Sequence, residues 1–432
     1  MLMDLVLINV IANFVLHGMN DRLYHLFITL VWLGITYYVQ FYEVYRYTKI
    51  TDVISKIFRL YVGFVILNFA YLGFFVHKVD NFSILKYTII SVLAVGIFKF
   101  GVFFMLRKYR SVYKGNLRIT AIIGNDYLSK QLVRFFNDND QYGYNLVSKT
   151  DGFANKDELM RYLHSLKAQH VEELYCSLES LPTFVIENVI GFTDNHLIRL
   201  KFLPSKNEVL VRSKKYDYYG VIPVYAYRQI PLESRSNFAL KRLFDILFSS
   251  LVIVFVLSWL TPLMSFLIKR ESNGPVFFKQ KRNGLDYKEF MCYKFRSMHI
   301  NEIADLEQVS KNDPRITEIG KFIRKTSIDE LPQFYNVFLG DMSVVGPRPH
   351  MVSHTEMYAK SIDKFMVRHF IKPGITGLAQ TSGYRGEVET QRDIINRVRY
   401  DIFYLENWSL LLDIKIIFLT VYNAVKGEKK AY

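Results

Sequence analysis

Four apolar runs, near residues 4–20, 22–41, 57–76 and 84–106, each approach the roughly 20 residues that cross a bilayer, and they constrain the chain more than any single motif. They predict a membrane protein with an α-helical four-span bundle over residues 1–110. No cleavable leader pattern precedes them: Asp4 stands where a basic segment belongs, and no A-x-A-like site follows. Arg46, Lys49, Lys56 and Arg59 lie between the second and third runs, and Arg107, Lys108, Arg110, Lys114 and Arg118 follow the fourth. Positive charge marks the cytoplasmic side, and an even number of crossings returns the chain there, so everything after residue 107 is expected in the cytoplasm. Asn9, Asn13 and His17 recur every four residues on one face of the first run. They line a polar path or, as the plainer reading has it, hydrogen-bond to a neighbouring helix.

From about residue 115 the pattern changes to soluble alternation. "LRITAIIG" reads as a strand, "SKQLVRFFNDN" as a helix and "VEELYCSL" as a strand, a βαβ order that predicts an α/β Rossmann-like middle domain over 115–230. Gly124 ends the first strand where a dinucleotide fingerprint would begin, but "GNDYLS" lacks the second and third glycines that let backbone approach a pyrophosphate. A modulatory or assembly role is expected instead. Only Cys176 and Cys292 occur, which excludes a disulfide framework and a cysteine-rich zinc site. A formal charge of +15, 16% aromatic residues and a positive mean hydropathy point to an anionic surface or to phosphate chemistry. The basic residues flank apolar runs and spell no helix-turn-helix, RRM or finger, so no nucleic-acid partner is expected.

A fifth apolar run, "LFDILFSSLVIVFVLSWLTPLMSFLI" at 243–268, has Lys241 and Arg242 before it and Lys269 and Arg270 after it. Cation pairs at both ends favour both ends lying in the cytoplasm. Pro262 removes a helix hydrogen bond and permits a break, and Thr261 and Ser258 are placed to satisfy the freed carbonyls. The prediction is a re-entrant membrane helix dipping into one leaflet. A plain fifth span with a proline kink is the alternative, and it would put residues 270–432 outside the cell.

Asp329 and Glu330 stand side by side in "SIDELPQ". Ser327 and Glu330 have the spacing of a capping box, and acids suit the first turn of a helix. Arg324 lies just upstream, and Arg348 sits between Pro347 and Pro349, a stiff loop that would hold a guanidinium fork ready for phosphate oxygens. Acids beside arginines at a helix start make a plausible Mg²⁺-diphosphate site, in which one carboxylate attacks phosphorus while the other holds metal.

Six blocks occur in order: "KRLFD" (241–245), "GPVFFKQKRNG" (274–284), "YKFRSM" (293–298), "SIDELPQ" (327–333), "GDMSVVGPRP" (340–349) and "KPGITGLAQTSGYRGE" (372–387). Together they resemble the bacterial sugar transferase family of polyprenyl-phosphate glycosyl-1-phosphate transferases in its long form, with an α/β monotopic catalytic domain over 238–432. The resemblance implies transfer of a sugar-1-phosphate from a UDP-sugar to undecaprenyl phosphate at the bacterial inner membrane, with release of UMP, to start an exopolysaccharide, capsule or O-antigen. It implies Asp329 as the nucleophile of an aspartyl-phosphosugar intermediate, Glu330 as the Mg²⁺ ligand (Mn²⁺ being a substitute ion), and Arg324 and Arg348 as phosphate clamps. Lys294 and Arg296 are further phosphate candidates or face lipid headgroups. Lys241 and Arg242 would anchor the hairpin and meet the polyprenyl phosphate. Membrane lipids and a second copy of the chain complete the expected partners. The family usually breaks its hairpin at a Ser-Pro, whereas here Ser258 precedes Trp259 and the proline comes four residues later. "GYRGE" with "NWSLLLDIKI" is most similar to the glucose branch, with galactose second.

His350 and His354 have an i, i+4 metal spacing, but "HMVSH" lacks the glutamate of a zinc helix. The apolar run at 407–427 is interrupted by Asp413 and Lys415, which predicts a packed or in-plane helix. Two other functions compete. A membrane-anchored nucleotide-sugar dehydratase or epimerase is opposed by the broken glycine fingerprint. A non-catalytic assembly scaffold is opposed by the intact Asp329, Glu330, Arg324 and Arg348.

Overall fold

The computed structural model describes residues 1–16, 22–75, 81–205, 216–300, 313–384, 386 and 390–426. The chain divides into two compact units, one of residues 1–154, 168–181 and 201–225, the other of 155–167, 182–200 and 226–432.

The first unit opens with four helices: α1 (Leu2–Val15), α2 (Arg22–Tyr38), α3 (Ile50–Phe75) and α4 (Asn81–Ser111). α3 and most of α4 are long and apolar enough to cross a membrane, whereas α1 is 14 residues and α2 is 17. Ile8, Tyr24, Trp32, Phe64 and Tyr87 meet in a core between them. Asn9 Nδ2 donates to Thr29 Oγ1 (3.1 Å), and the His25 ring nitrogens lie 2.8 and 3.0 Å from the Asn9 and Asn13 side-chain oxygens. The polar face of α1 is thus spent on α2, the helix-to-helix reading. His17 lies outside the described residues.

Beyond α4 lies a six-stranded sheet in the order β2-β1-β3-β4-β6-β5, made of β1 (Arg118–Ile123), β2 (Tyr144–Thr150), β3 (Glu173–Ser177), β4 (Arg199–Leu203), β5 (Asp217–Tyr219) and β6 (Ile222–Ala226). β1 pairs in parallel with β2 and β3, and β5 is antiparallel to β6, so the sheet is mixed. Parallel neighbours need crossovers, which helix α5 (Tyr127–Asp138) begins to supply after β1. Asp126 caps α5 with its own carboxylate, accepting from Leu128 N at 3.1 Å. That negative charge occupies the end of the helix where a nucleotide phosphate would dock.

The second unit includes helices α6 (Lys156–Ala168) and α7 (Thr183–His196) and the chain from residue 226 onward. α8 (Arg235–Val252), a π-helical segment (Ile253–Leu257) and α9 (Ser258–Glu271) form one unbroken helical run of 37 residues. The expected break at Pro262 is absent. The irregularity lies a turn or more earlier, in the π segment, and Pro262 sits inside α9. Ser258 Oγ donates to Val254 O at 2.6 Å, while Thr261 Oγ1 finds no partner among the described residues, so only one of the two expected hydroxyls caps a carbonyl. One face of this run (Leu257, Leu260, Met264 and Ile268) is buried in the same core as Cys292, Phe295, Ile323 and Val337. Its outer face carries exposed Leu243, Leu247, Leu251, Phe255, Trp259 and Phe266.

The remainder holds the hairpin β7 (Phe277–Asn283) and β8 (Glu289–Phe295), helices α10 (Glu318–Lys325) and α11 (Gln333–Leu339), the parallel pair β9 (Ser343–Val345) and β10 (Gly374–Thr376), and helices α12 (Val352–Ser361), α13 (Leu378–Thr381), α14 (Gln391–Glu406) and α15 (Leu410–Lys426). Gly346 and Gly374 let β9 and β10 backbones approach so closely that a Cβ on Gly374 would stand 2.0 Å from Gly346 N.

Candidate active site

Asp329 and Glu330 occupy a 3-10 turn, Ile328–Glu330, between α10 and α11. Ser327 before them adopts φ 58°, ψ 19°, and its side chain makes no cap bond. A capping box needs an extended N-cap, so Ser327 and Glu330 do not form one here. Holding a serine in this left-handed region costs on the order of 1–3 kcal/mol and persists only where the surroundings over-determine it.

The two acids have different surroundings. Glu330 is clamped: Arg348 donates Nη2 to Oε1 (2.7 Å) and Nη1 to Oε2 (3.2 Å), and Lys294 Nζ donates to Oε1 at 2.8 Å. Burial works to push its carboxyl up, but Arg348 and Lys294 outweigh it and hold the group well below the usual carboxylate range. Asp329, buried at 9% exposure, makes no hydrogen bond among the described residues; Lys294 Nζ stands 4.0 Å from its Oδ2. Burial, with the Glu330 charge added and Lys294 opposing, raises its carboxyl above the ordinary value. Arg324, in the last turn of α10, has no hydrogen bond or ion pair among the described residues, yet its charge reaches Asp329. The site therefore pairs a committed carboxylate with an uncommitted one, beside an uncommitted guanidinium.

The positioning elements follow from the sequence blocks. Asn336, fully buried on α11, accepts from Tyr293 N (2.9 Å) and donates to Met291 O (2.7 Å), tying α11 to the strand that carries Lys294. Arg348 follows β9, and β9 is braced from below. Asp245 accepts from Ser343 Oγ and Val344 N, both at 3.0 Å. Asp413 of α15 accepts from Lys241 Nζ (2.6 Å), Tyr404 OH (2.7 Å) and Trp408 Nε1 (3.1 Å), and both Lys241 and Tyr404 also reach Val345 O.

Three expected phosphate ligands are corrected by this geometry. Lys241 is buried and neutralised by Asp413, so it braces β9 instead of meeting a lipid phosphate. Arg242 donates to Val337 O and Phe338 O and caps the carbonyl end of α11. Arg296 donates to Ser272 O and Asn273 O, both at 2.7 Å, and ties the end of α9 to β8. Asp329, Glu330, Arg324, Lys294 and Arg348 do come together. Asp413 and Asp245 escaped notice as braces, although an acid isolated in an apolar run and a Lys–Asp pair four residues apart were visible signals.

No group of three or more His, Cys, Asp or Glu is placed to hold a metal among the described residues. The two carboxylates suit a hard cation in kind, and in number only if substrate phosphate oxygens complete the shell.

Residues 236–427 match the bacterial sugar transferase family. The chain is 41% identical over 263 residues to a UDP-glucose:undecaprenyl-phosphate glucose-1-phosphate transferase of Klebsiella pneumoniae, covering 61% of this chain and 56% of that protein. A protein of the same name from Escherichia coli (strain K12) is 35% identical over 325 residues, 73% of this chain and 69% of its own length. An undecaprenyl-phosphate galactose phosphotransferase of Salmonella typhimurium is 42% identical over 207 residues, 44% of this chain and 41% of that protein. The match to the Klebsiella protein thus spans little more than half of that relative.

Proposed function

The chain belongs to the bacterial sugar transferase family, and from that premise we propose that it transfers a sugar-1-phosphate from a UDP-sugar to undecaprenyl phosphate by way of a covalent intermediate on Asp329. The observation that carries the proposal is the division between the acids: Glu330 is locked by Arg348 and Lys294, while Asp329 is buried with no hydrogen bond among the described residues. A nucleophile must have an oxygen to spare, and Asp329 has. Its Oδ attacks the sugar-bearing phosphorus, the bond to the nucleoside phosphate breaks, and UMP leaves; an oxygen of the lipid phosphate then attacks the same phosphorus and regenerates Asp329. Arg348, fixed by Glu330, and Arg324 supply donors for the phosphoryl oxygens as charge develops. A Mg²⁺ or Mn²⁺ ion at Glu330 would, when bound, neutralise diphosphate oxygens that the arginines do not reach. The names of the Klebsiella and Escherichia relatives support glucose as the sugar; the Salmonella name keeps galactose as the second reading.

For the membrane we propose four spans from α1 to α4, a Rossmann-like middle domain over 115–230 and a catalytic domain on the cytoplasmic side of the inner membrane. The run Arg235–Glu271 is proposed to lie in one leaflet with both ends on that side. Burial of Leu260, Met264 and Ile268 in one core with Phe295 supports this, since a crossing would carry them away from it, and the outer leucine and aromatic stripe suits lipid. The test is incubation with UDP-glucose and Mg²⁺ but no lipid. UMP should appear in at most one equivalent, with a phosphosugar mass on the peptide containing Asp329, and Asp329→Asn should abolish both. UMP release only when undecaprenyl phosphate is present, without any adduct, would make direct displacement the better account.

A further inference from the structure

The block "SIDELPQ" ends on a residue that the chemistry of the acid pair leaves unused. Gln333 opens α11, is 3% exposed, and makes no side-chain hydrogen bond among the described residues. Asn336, three residues further along the same helix, shows how a buried amide is ordinarily accommodated there: its oxygen accepts from Tyr293 N and its nitrogen donates to Met291 O. An amide left unmet in a protein interior is destabilising, so Gln333 points to a partner that a ligand supplies. Its place in the chain indicates which ligand. From Ile328 to Tyr335 the backbone winds right-handed: Leu331 N donates to Ile328 O (3.1 Å), Phe334 N to Leu331 O (3.0 Å) and Tyr335 N to Pro332 O (3.0 Å), with Leu331 at φ −58°, ψ −34° and Pro332 at φ −60°, ψ −16°. At about 3.0 residues per turn Gln333 stands over Glu330, and at about 3.6 it stands nearer to Asp329. Helical side chains lean toward the N-terminus, so either count carries this one back toward the acid pair. Lys294 and Arg348 already occupy Glu330, whereas Asp329 is buried beside it with no hydrogen bond among the described residues.

We propose that Gln333 is a further catalytic residue of this site, its amide N–H donating to a non-bridging oxygen of the phosphoryl group that Asp329 attacks. The proposal rests on the transferase reading and adds a residue to it. Gln333 and Asp329 do not bond each other, and one ligand satisfies both, because a phosphoryl group offers an acceptor oxygen to the amide and an electrophilic phosphorus to the carboxylate. As the bond from the Asp329 oxygen to phosphorus forms, the bond to the nucleoside phosphate breaks, its electron pair stays on the leaving oxygen, and no proton moves at Gln333. A donor held against the non-bridging oxygens at that moment stabilises the charge spread over them. The neutrality of the donor matters as much as its place. Glu330 shows what cations do to a carboxylate here, since Arg348 and Lys294 between them occupy both of its oxygens. A cation at position 333 would hold Asp329 in the same way and take the oxygen that must attack, whereas an amide binds the phosphoryl group and leaves the nucleophile uncommitted.

The test is the single-turnover burst of UMP from the full chain in detergent, mixed with UDP-glucose and Mg²⁺ without lipid, with the adduct mass and the melting temperature followed alongside. Gln333→Met, of similar length and volume, should slow the burst by about tenfold or more at saturating donor, the scale of one hydrogen bond to a charged group, and leave the half-saturating donor concentration within about threefold. Gln333→Lys should slow it at least as much, although it brings a positive charge to a phosphate, and it decides the matter if the methionine variant does not fold. A glutamine that only fills space predicts another pattern: a lower melting temperature with an unchanged burst per folded molecule. A folded methionine variant with the parent's burst overturns the proposal, as does a lysine variant as fast as the parent; in both cases the adduct on Asp329 still forms and the transferase reading stands. A parent that forms no adduct from any UDP-sugar overturns the two together.

Discussion

His369 packs its ring beside Arg368 and donates Nδ1 to Gly284 O at 3.1 Å. Burial, with the Arg368 charge added, pushes its imidazole down to about 4 from 6.5. Between those limits the unfolded chain takes up a proton that the folded chain refuses, so stability falls as pH falls through this window and is fully present above it. At pH 5 the loss amounts to about 2 kcal/mol from this one ring. Asp401, raised by burial to about 6 against the pull of Arg368 and Arg397, works in the opposite sense over much of the same window. The difference between parent and variant isolates His369. His369→Gln should lose less melting temperature between pH 7 and pH 5 than the parent does, measured by thermal unfolding in detergent, and an identical loss would deny the ring its depressed proton affinity.

Among the elements, β9 matters most to the site because Arg348 follows directly from it, and it is held by a buried polar cluster instead of by a wide sheet. Lys241 and Asp413 are 6% and 0% exposed. Removing one partner of such a pair strands the other charge and costs about 3–5 kcal/mol, whereas replacing both by apolar groups is often near neutral. Lys241 also lies 3.6 Å from buried Asp245, so Lys241→Met leaves two buried carboxylates without their cation and should lower stability strongly, and adding Asp413→Leu should recover part of the loss; melting temperatures of the single and double variants check this. The blocks that carry Asp329, Glu330, Arg324 and Arg348 were readable in the sequence because six such blocks occur in the order of a known family; the spacing of the acids by itself also fits a helix start. The work of Lys241, Arg242 and Arg296 was not, since a lysine near an apolar run looks the same whether its partner is a lipid phosphate or an aspartate 172 residues away. The helical period at 243–268 was legible, but its continuity through Pro262 was not. A proline permits a break without compelling one, and here the π segment a turn or more before it takes up the irregularity.

At the scale of the whole chain, the sidedness of residue 272 decides whether the catalytic unit can meet a cytoplasmic nucleotide sugar. After replacement of Cys176 and Cys292, a cysteine introduced at Ser272 should resist a membrane-impermeant thiol reagent in intact cells and react once they are opened. Labelling from outside would put the site on the wrong side of the membrane for its donor. Helix α7 adds something that reading along the chain does not suggest. Although it precedes residue 230, it belongs to the compact unit that holds Asp329. Its Asn195 accepts from Lys364 N (2.9 Å) and donates to Asp363 (3.2 Å), and Asp194 meets Arg228, which also pairs with Glu406. Lys364 itself is held at φ 60° just before the segment Phe365–Phe370 that carries Arg368. A cut between β6 and α8, the natural place to divide the chain by eye, would part the residues around Asp329 from a helix with which they share one compact unit and these hydrogen bonds.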